Sequence, residues 1–112
     1  MSKTPKLTDA DVVNLIDCAG SGIAYWAASG HVDEAAKTYR VIESSVELAE
    51  GDAPADKTMT FDDLRKAFVA LAAAGTLPDW QMREIEEDDL GFDATVGDLV
   101  VQRAMFGEIV FG

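Results

Sequence analysis

The stretch Leu7–Val12, "LTDADV", predicts the start of a helix, and the same chemistry returns at Met59–Leu64 as "MTFDDL". In each stretch a threonine can cap the first turn, an aspartate follows three residues later as in a capping box, and apolar residues occupy both positions of a hydrophobic staple. The carboxylates also lie at the positive end of the helix dipole. The pattern predicts two helices, one beginning after Thr8 and one after Thr60.

Both predicted helices have one apolar face. The first is expected to run to about Ala19 and end at Gly20, and the second to end at Gly75. Apolar residues recur three and four positions apart, which is the spacing of a single helix face. The residues predicted to be buried are Val12, Leu15, Ile16 and Ala19 in the first helix, and Leu64, Ala67, Phe68, Leu71 and Ala72 in the second.

The segments between these helices are predicted to be strands. In "GIAYWAA" (22–28) the residues alternate, so that Tyr25 and Trp26 point to opposite sides of a strand. "TYRVIESSVELA" (38–49) is rich in β-branched and aromatic residues. Turn-forming residues fill Glu50–Lys57, so Ser45–Ala49 is predicted to form a hairpin with "KTMT" (57–60).

The remainder of the chain predicts two further helices and a final strand. "LPDWQMREI" (77–85) indicates a short helix opened by Pro78, and "ATVGDLVVQRAMFG" (94–107) a last helix weakened by Gly97. The closing "EIVFG" (108–112) is predicted to be a strand that must pair with something. The sum is an α+β fold, with about four helices packed on one face of a small, mostly antiparallel sheet.

Composition sets the class of protein. A chain of 112 residues with 48% hydrophobic and 8% aromatic residues is expected to form one domain over residues 1–112, with residues 1–6 flexible. The single Cys18 excludes an internal disulfide and suits a reducing compartment. The N-terminal segment lacks the apolar run of a signal peptide, and the longest low-polarity run, Ala67–Leu77, is too short to span a bilayer. We therefore expect a cytoplasmic protein with no membrane association.

The charge is strongly negative. Twenty-one acidic residues against nine basic ones give a net charge of −12, which opposes direct binding to nucleic acid. The acidic residues of "EIEEDDLGFD" permit three interpretations: a solvated turn, a divalent-cation site unlike an EF-hand, or a row of carboxylates that imitates a nucleic-acid backbone. Adaptation to a saline cytoplasm would produce a similar composition. The residues concerned are Glu84, Glu86, Glu87, Asp88, Asp89 and Asp93.

The sequence contains no signature of an enzyme. A structural zinc site needs clustered cysteine and histidine, and the chain has one of each, Cys18 and His31. No P-loop, dinucleotide fingerprint or nucleophile elbow occurs, and His31 is predicted to be an exposed loop residue. We expect no catalytic residue, no metal and no cofactor.

Two aromatic residues and two polar ones form a candidate binding site. If Tyr25 and Trp26 alternate on a strand, one ring faces the helices and the other faces away. Asp98 and Gln102 are four residues apart on the last helix, where they share a face and can bond each other. These four residues either close a pocket for a small molecule or nucleotide, or lock "EIVFG" in place.

The two ends of the chain carry a glycine-rich segment ending in Tyr-Trp, "GSGIAYWA" (20–27), and a closing pattern, "LGFDATVGDLVVQRAMFGEIVFG" (90–112). This pairing resembles a family of small proteins of tailed bacteriophages and related prophages that has no assigned activity. This chain departs from the pattern at Ser21 and Gly97, where glycine and alanine are more usual. The resemblance implies a phage accessory protein and supplies no catalytic residue. The matching positions are Tyr25, Trp26, Asp93, Ala94, Thr95, Asp98, Gln102 and 106–112.

The sequence thus favours a non-enzymatic bacteriophage accessory protein of the host cytoplasm, which acts by binding a host or phage protein. We expect a homo-oligomer, most simply a homodimer formed through an aromatic strand face or the terminal strand. The sharpest version is an acidic, DNA-mimic-like inhibitor of a host DNA-handling or defence protein. The alternatives are a ligand-binding protein or enzyme with a pocket near Tyr25 and Trp26, or a minor virion component.

Overall fold

Two capping boxes begin two of the helices, as the sequence predicts. In a computed structural model of the protein, which describes residues 5–45, 48 and 50–111, the Thr8 hydroxyl accepts a hydrogen bond from the Asp11 amide at 3.1 Å, and the Thr8 amide donates to the Asp11 carboxylate at 2.9 Å. Thr60 and Asp63 repeat this exchange at 3.0 and 2.9 Å. The elements are α1 (Asp9–Gly22), β1 (Ala27–Asp33), β2 (Thr38–Glu43), β3 (Asp56–Thr60), α2 (Phe61–Ala73), α3 (Asp79–Glu87) and α4 (Ala94–Phe106).

The predicted α+β class is confirmed: the described residues form four helices and a three-stranded antiparallel sheet in the order β1-β2-β3. Every residue predicted to be buried on α1 and α2 is buried, and Phe61 joins them. From the sheet, Tyr39, Val41 and Met59 point into the same core. No helix within the described residues is long and apolar enough to cross a membrane.

Two of the close approaches that glycines allow involve Gly97 and Gly30. A Cβ at Gly97 would lie 2.6 Å from the Ala19 Cα, so α4 can pack against α1 only because this residue has no side chain. A Cβ at Gly30 of β1 would lie 2.5 Å from the Tyr39 hydroxyl oxygen, so that ring can lie across the strand. Gly97 was predicted only to weaken the last helix, and it also allows that helix to pack closely against α1.

The predicted first helix and first strand need correction. Helix α1 continues through Gly20 to Gly22, because its packing against α4 outweighs the roughly 1 kcal/mol that a glycine costs within a helix. Residues 23–26 then form a turn, in which the Trp26 and Ala27 amides donate to the Ile23 carbonyl at 3.0 and 2.8 Å. The strand prediction for "GIAYWAA" is thus wrong for Tyr25 and Trp26, and β1 begins only at Ala27.

The predicted hairpin partner of "KTMT" is also wrong. Strand β3 begins at Asp56 and pairs with β2 over Thr38–Ile42, because these positions provide the buried register that sets Met59 opposite Tyr39. Of the predicted partner segment, Val46, Glu47 and Ala49 lie outside the described residues.

The remaining predictions have mixed outcomes. The short helix at 77–85 and the last helix at 94–107 are confirmed as α3 and α4. His31 is exposed as predicted but lies within β1 instead of a loop, and residues 108–111 are not a strand. Of the segment predicted to be flexible, residues 1–4 lie outside the described residues, while Pro5 is buried and Lys6 exposed.

Candidate functional sites

Tyr25 and Trp26 meet the carboxylate of Asp98. The Tyr25 hydroxyl donates to Asp98 Oδ2 and the Trp26 indole nitrogen donates to Asp98 Oδ1, each at 2.7 Å. Trp26 is 4% exposed and Tyr25 is 59% exposed, so one ring is buried and the other faces outward, as predicted. The turn after α1, and not strand alternation, produces this separation.

Gln102 connects Asp98 to the end of the chain. Its side chain is fully buried, and Nε2 donates to Asp98 Oδ1 at 2.8 Å and to the Phe111 carbonyl at 3.3 Å. Its Oε1 accepts from the Val110 and Phe111 amides at 2.8 and 2.7 Å. The amide thus offers residues 110–111 a donor and an acceptor, as a neighbouring strand would. The Val110 N–H and both backbone groups of Phe111 are therefore satisfied although the tail is not a strand.

Aromatic packing covers this polar arrangement. The Trp26 ring stacks on Phe111 with centroids 5.0 Å apart and planes 11° apart, and Phe106 packs against both rings at 5.6 and 5.8 Å. The tail is therefore fixed by rings on one side and by Gln102 on the other. We call Tyr25, Trp26, Asp98 and Gln102 the Asp98 hub.

The hub residues use their polar groups on one another. Burial of the Tyr25 hydroxyl, together with its hydrogen bond to the Asp98 carboxylate, raises the pKa of Tyr25 to about 12, so it remains a donor at neutral pH. The hypothesis that these residues lock "EIVFG" in place accounts for all of these contacts. A ligand bound here would have to displace Tyr25 or the tail from Asp98 and Gln102.

The predicted acidic residues divide into two groups. Glu86, Glu87, Asp88 and Asp89 are exposed at the C-terminal end of α3, and we call these four the acidic turn. Asp88 adopts a left-handed backbone conformation with φ of 58°, and the last turn of α3 contains no basic residue. The carboxylates therefore lie at the negative end of the helix dipole, which disfavours them.

Glu84 and Asp93 lie outside the acidic turn, and each contacts the body of the fold. Asp93 caps α4, since its Oδ1 accepts from the Val96 amide at 2.8 Å. Glu84 is half-buried, and its Oε2 is buried without a hydrogen-bond partner among the described residues. Of the six predicted acidic residues, Asp93 thus serves as a helix cap and Glu84 is partly buried.

Cys18 lies beside this acidic segment. Its thiol donates to the Phe92 carbonyl at 3.5 Å. Burial raises the pKa of the Cys18 thiol, and the neighbouring carboxylates of Asp93 and Asp17 raise it further. The thiolate is therefore disfavoured, which opposes a redox or nucleophilic role.

Sequence reasoning missed Gln81 on α3. This side chain is fully buried, and both polar atoms of its amide lack a hydrogen-bond partner within the described residues. A glutamine on a charged helix is ordinarily exposed. The available signal was its spacing, since Gln81 lies four residues before Ile85, the buried apolar residue of the same helix.

No group of three or more His, Cys, Asp or Glu side chains in the described part of the chain could hold a metal ion. Comparison with models of protein families, with curated proteins and with solved structures finds no match for this chain.

Proposed function

We propose that this chain is a non-enzymatic bacteriophage accessory protein that binds a basic surface of a host protein through its acidic turn. One observation carries the proposal. Four consecutive carboxylates, Glu86 to Asp89, are exposed at the end of α3 and form a dense negative patch on the surface. Such a patch can attract and bind a basic protein surface.

The chemistry of the partner follows from the charge. Proteins that handle DNA bind it with lysine and arginine side chains that neutralise phosphates. A chain of net charge −12 is attracted to such a surface over distance, and the acidic turn offers closely spaced carboxylates for short-range contact. A host DNA-handling or defence protein is the partner that these features fit best.

The phage setting rests on the family resemblance. Tyr25, Trp26, Asp98 and Gln102 are among the positions that carry it, and in this fold they hold the tail. This supports interpreting the resemblance as a shared way of closing the fold, without a shared reaction. We place the protein in the host cytoplasm on the same ground.

The proposal includes a homodimer formed where the tail crosses the hub. Tyr25, Ile109 and Val110 are the large hydrophobic residues that remain exposed among the described residues, and the last two belong to the tail. Exposed apolar residues that adjoin one another are typical of an interface.

A pull-down from bacterial lysate tests the binding function. The tagged protein is compared with a variant that combines Glu86→Gln, Glu87→Gln, Asp88→Asn and Asp89→Asn. A control variant neutralises four exposed carboxylates elsewhere, Glu34, Glu50, Asp52 and Glu108, with the same change in net charge. We expect a DNA-handling or defence protein that elutes steeply as salt rises, that is lost with the turn variant and that is retained by the control.

Two outcomes would contradict the proposal. If the partner binds the turn variant as well as the wild type, the acidic turn is not the binding surface. If the two variants lose the partner equally, net charge alone governs the association.

A further inference from the structure

A positively charged depression lies on this acidic protein, and its lining includes no residue of the hub or of the acidic turn. It is open to solvent, has a volume of about 250 Å³ and is formed by β3, α2 and α4. Its basic side chains are Lys57, Lys66 and Arg103, and its apolar lining consists of Ala67, Ala70 and Ala104.

None of these three cations forms an ion pair with a carboxylate among the described residues. The described part of the chain has eight basic residues, of which Lys37, Arg40 and Arg65 form ion pairs with aspartates. Three of the other five line this one depression. In a chain of 21 acidic and nine basic residues, carboxylates are abundant, so such a cluster of cations without a carboxylate partner needs an explanation.

Backbone contacts fix two of the three cations. The Lys57 ammonium donates to the Ala104 carbonyl at 3.2 Å, and the Arg103 guanidinium donates to the Gly107 carbonyl. Each group retains further N–H donors, because an ammonium has three and a guanidinium five. The depression is thus lined by donors whose positions are set before any ligand arrives.

The negative charges at the depression are weaker than the positive ones. Among the described residues, Asp63 is the one carboxylate of the lining, and its Oδ2 already accepts from the Thr60 amide at 2.9 Å in the capping box of α2. The end of α4 adds about half a negative charge. The three cations of the lining therefore exceed its negative charge, and the alanine residues bring no side-chain acceptor.

We propose that this depression binds the phosphate group of a small molecule. A phosphate dianion has several oxygens that accept charge-assisted hydrogen bonds from ammonium and guanidinium groups together. The volume of about 250 Å³ admits the phosphate and part of the group that carries it. The site is independent of the acidic turn.

The competing explanation is that the cations only stabilise the C-terminal end of α4. Lysine and arginine are favourable there, and the contacts of Lys57 and Arg103 fit that role. Lys66 separates the two explanations, because it makes no hydrogen bond or ion pair with any described residue. Its charge matters to a phosphate and not to the end of α4.

Titration of the ¹⁵N-labelled full chain with inorganic phosphate, followed by amide chemical shifts at constant ionic strength, tests the proposal. We expect saturable shifts at residues of β3, α2 and α4 around the depression. Lys66→Gln and Arg103→Gln should each weaken phosphate binding by about tenfold, the loss expected for one charge-assisted contact. Lys6→Gln and Arg83→Gln are matched controls, since both residues are exposed and unpaired with carboxylates among the described residues.

The outcomes separate the explanations. Shifts that do not saturate, or that the controls weaken as much as Lys66→Gln does, would overturn the site. Unchanged phosphate binding by Lys66→Gln would also overturn the site, and the cations would then only stabilise the C-terminal end of α4. A parallel titration with a nucleoside monophosphate identifies the source of the phosphate: stronger binding with additional shifts indicates a nucleotide, and equal binding indicates phosphate itself. Both results support the site.

Discussion

The Asp98 hub and helix α3 differ in how far their polar groups are hydrogen-bonded. In the hub, a buried amide, a carboxylate, an indole and a phenol all bond one another or the tail backbone. On α3, the acidic turn is exposed against the helix dipole, while Gln81 and one oxygen of Glu84 are buried without partners among the described residues. The hub residues therefore serve stability, whereas the buried amide of Gln81 carries a cost that the contacts of the described residues do not offset.

Removing the central ring of the hub is expected to have the largest effect on this contrast. Trp26→Ala deletes a buried ring that stacks on Phe111 and bonds Asp98, so we expect the free energy of unfolding to fall by about 3–5 kcal/mol. Urea denaturation measures this loss. A loss below about 1 kcal/mol with the fold intact would instead favour a ligand-binding pocket lined by the Trp26 ring.

The same glutamine-to-methionine substitution at the two buried glutamines tests the difference between the hub and α3. Gln102→Met removes the acceptor of two backbone amides and a donor to Asp98, and should lower the free energy of unfolding by about 2–3 kcal/mol. Gln81→Met replaces an unpartnered amide with an apolar chain of similar shape, and should raise it by about 1 kcal/mol.

Thermal and urea unfolding of both variants give the sign of each change in the free energy of unfolding. A decrease for Gln102→Met and an increase for Gln81→Met would support the division between hub and α3. Equal destabilisation would mean that Gln81 has hydrogen-bond partners, such as ordered water, and that α3 is as well satisfied as the hub.

The predictable part of the fold depends on neighbours in sequence. Capping boxes at Thr8 and Thr60 are interactions between residues three apart, and the Asp98–Gln102 bond joins residues four apart, so local spacing predicts all three. The burial of one ring and the exposure of the other also followed from a simple expectation about Tyr25 and Trp26, although the assumed strand was wrong.

The unpredicted part depends on contacts between distant segments. Nothing near Gly20 indicates that α1 continues to Gly22, because the helix is held by Gly97, which packs against Ala19 from 78 positions later in the chain. The tail was predicted to pair as a strand, and the partner is a glutamine side chain on the preceding helix. The spacing of Gln81 to Ile85 was a local signal, but glutamine is ordinarily exposed and only tertiary packing shows that this one is buried.

Tyr25 provides the smallest expected effect, and it concerns the exposed edge of the hub. The folded state raises its pKa from the ordinary value of 10.0 to about 12, so the folded protein retains the phenol proton where the unfolded chain has lost it. The resulting contribution to stability is complete below pH 10 and is lost as the pH rises towards about 12. Because the ring is 59% exposed, solvent screening keeps this contribution small.

Tyr25→Phe isolates that contribution. The buried Tyr39 also has a raised pKa and titrates in both proteins, so the difference between wild type and variant belongs to the Tyr25 hydroxyl. We expect the wild type to be the more stable at neutral pH and the difference to shrink above pH 10, measured by urea denaturation across the alkaline range. A difference that stays constant with pH would mean that the Tyr25 bond to Asp98 is not maintained in solution. The hub would then consist of Trp26, Asp98 and Gln102 alone, with Tyr25 left available to a partner.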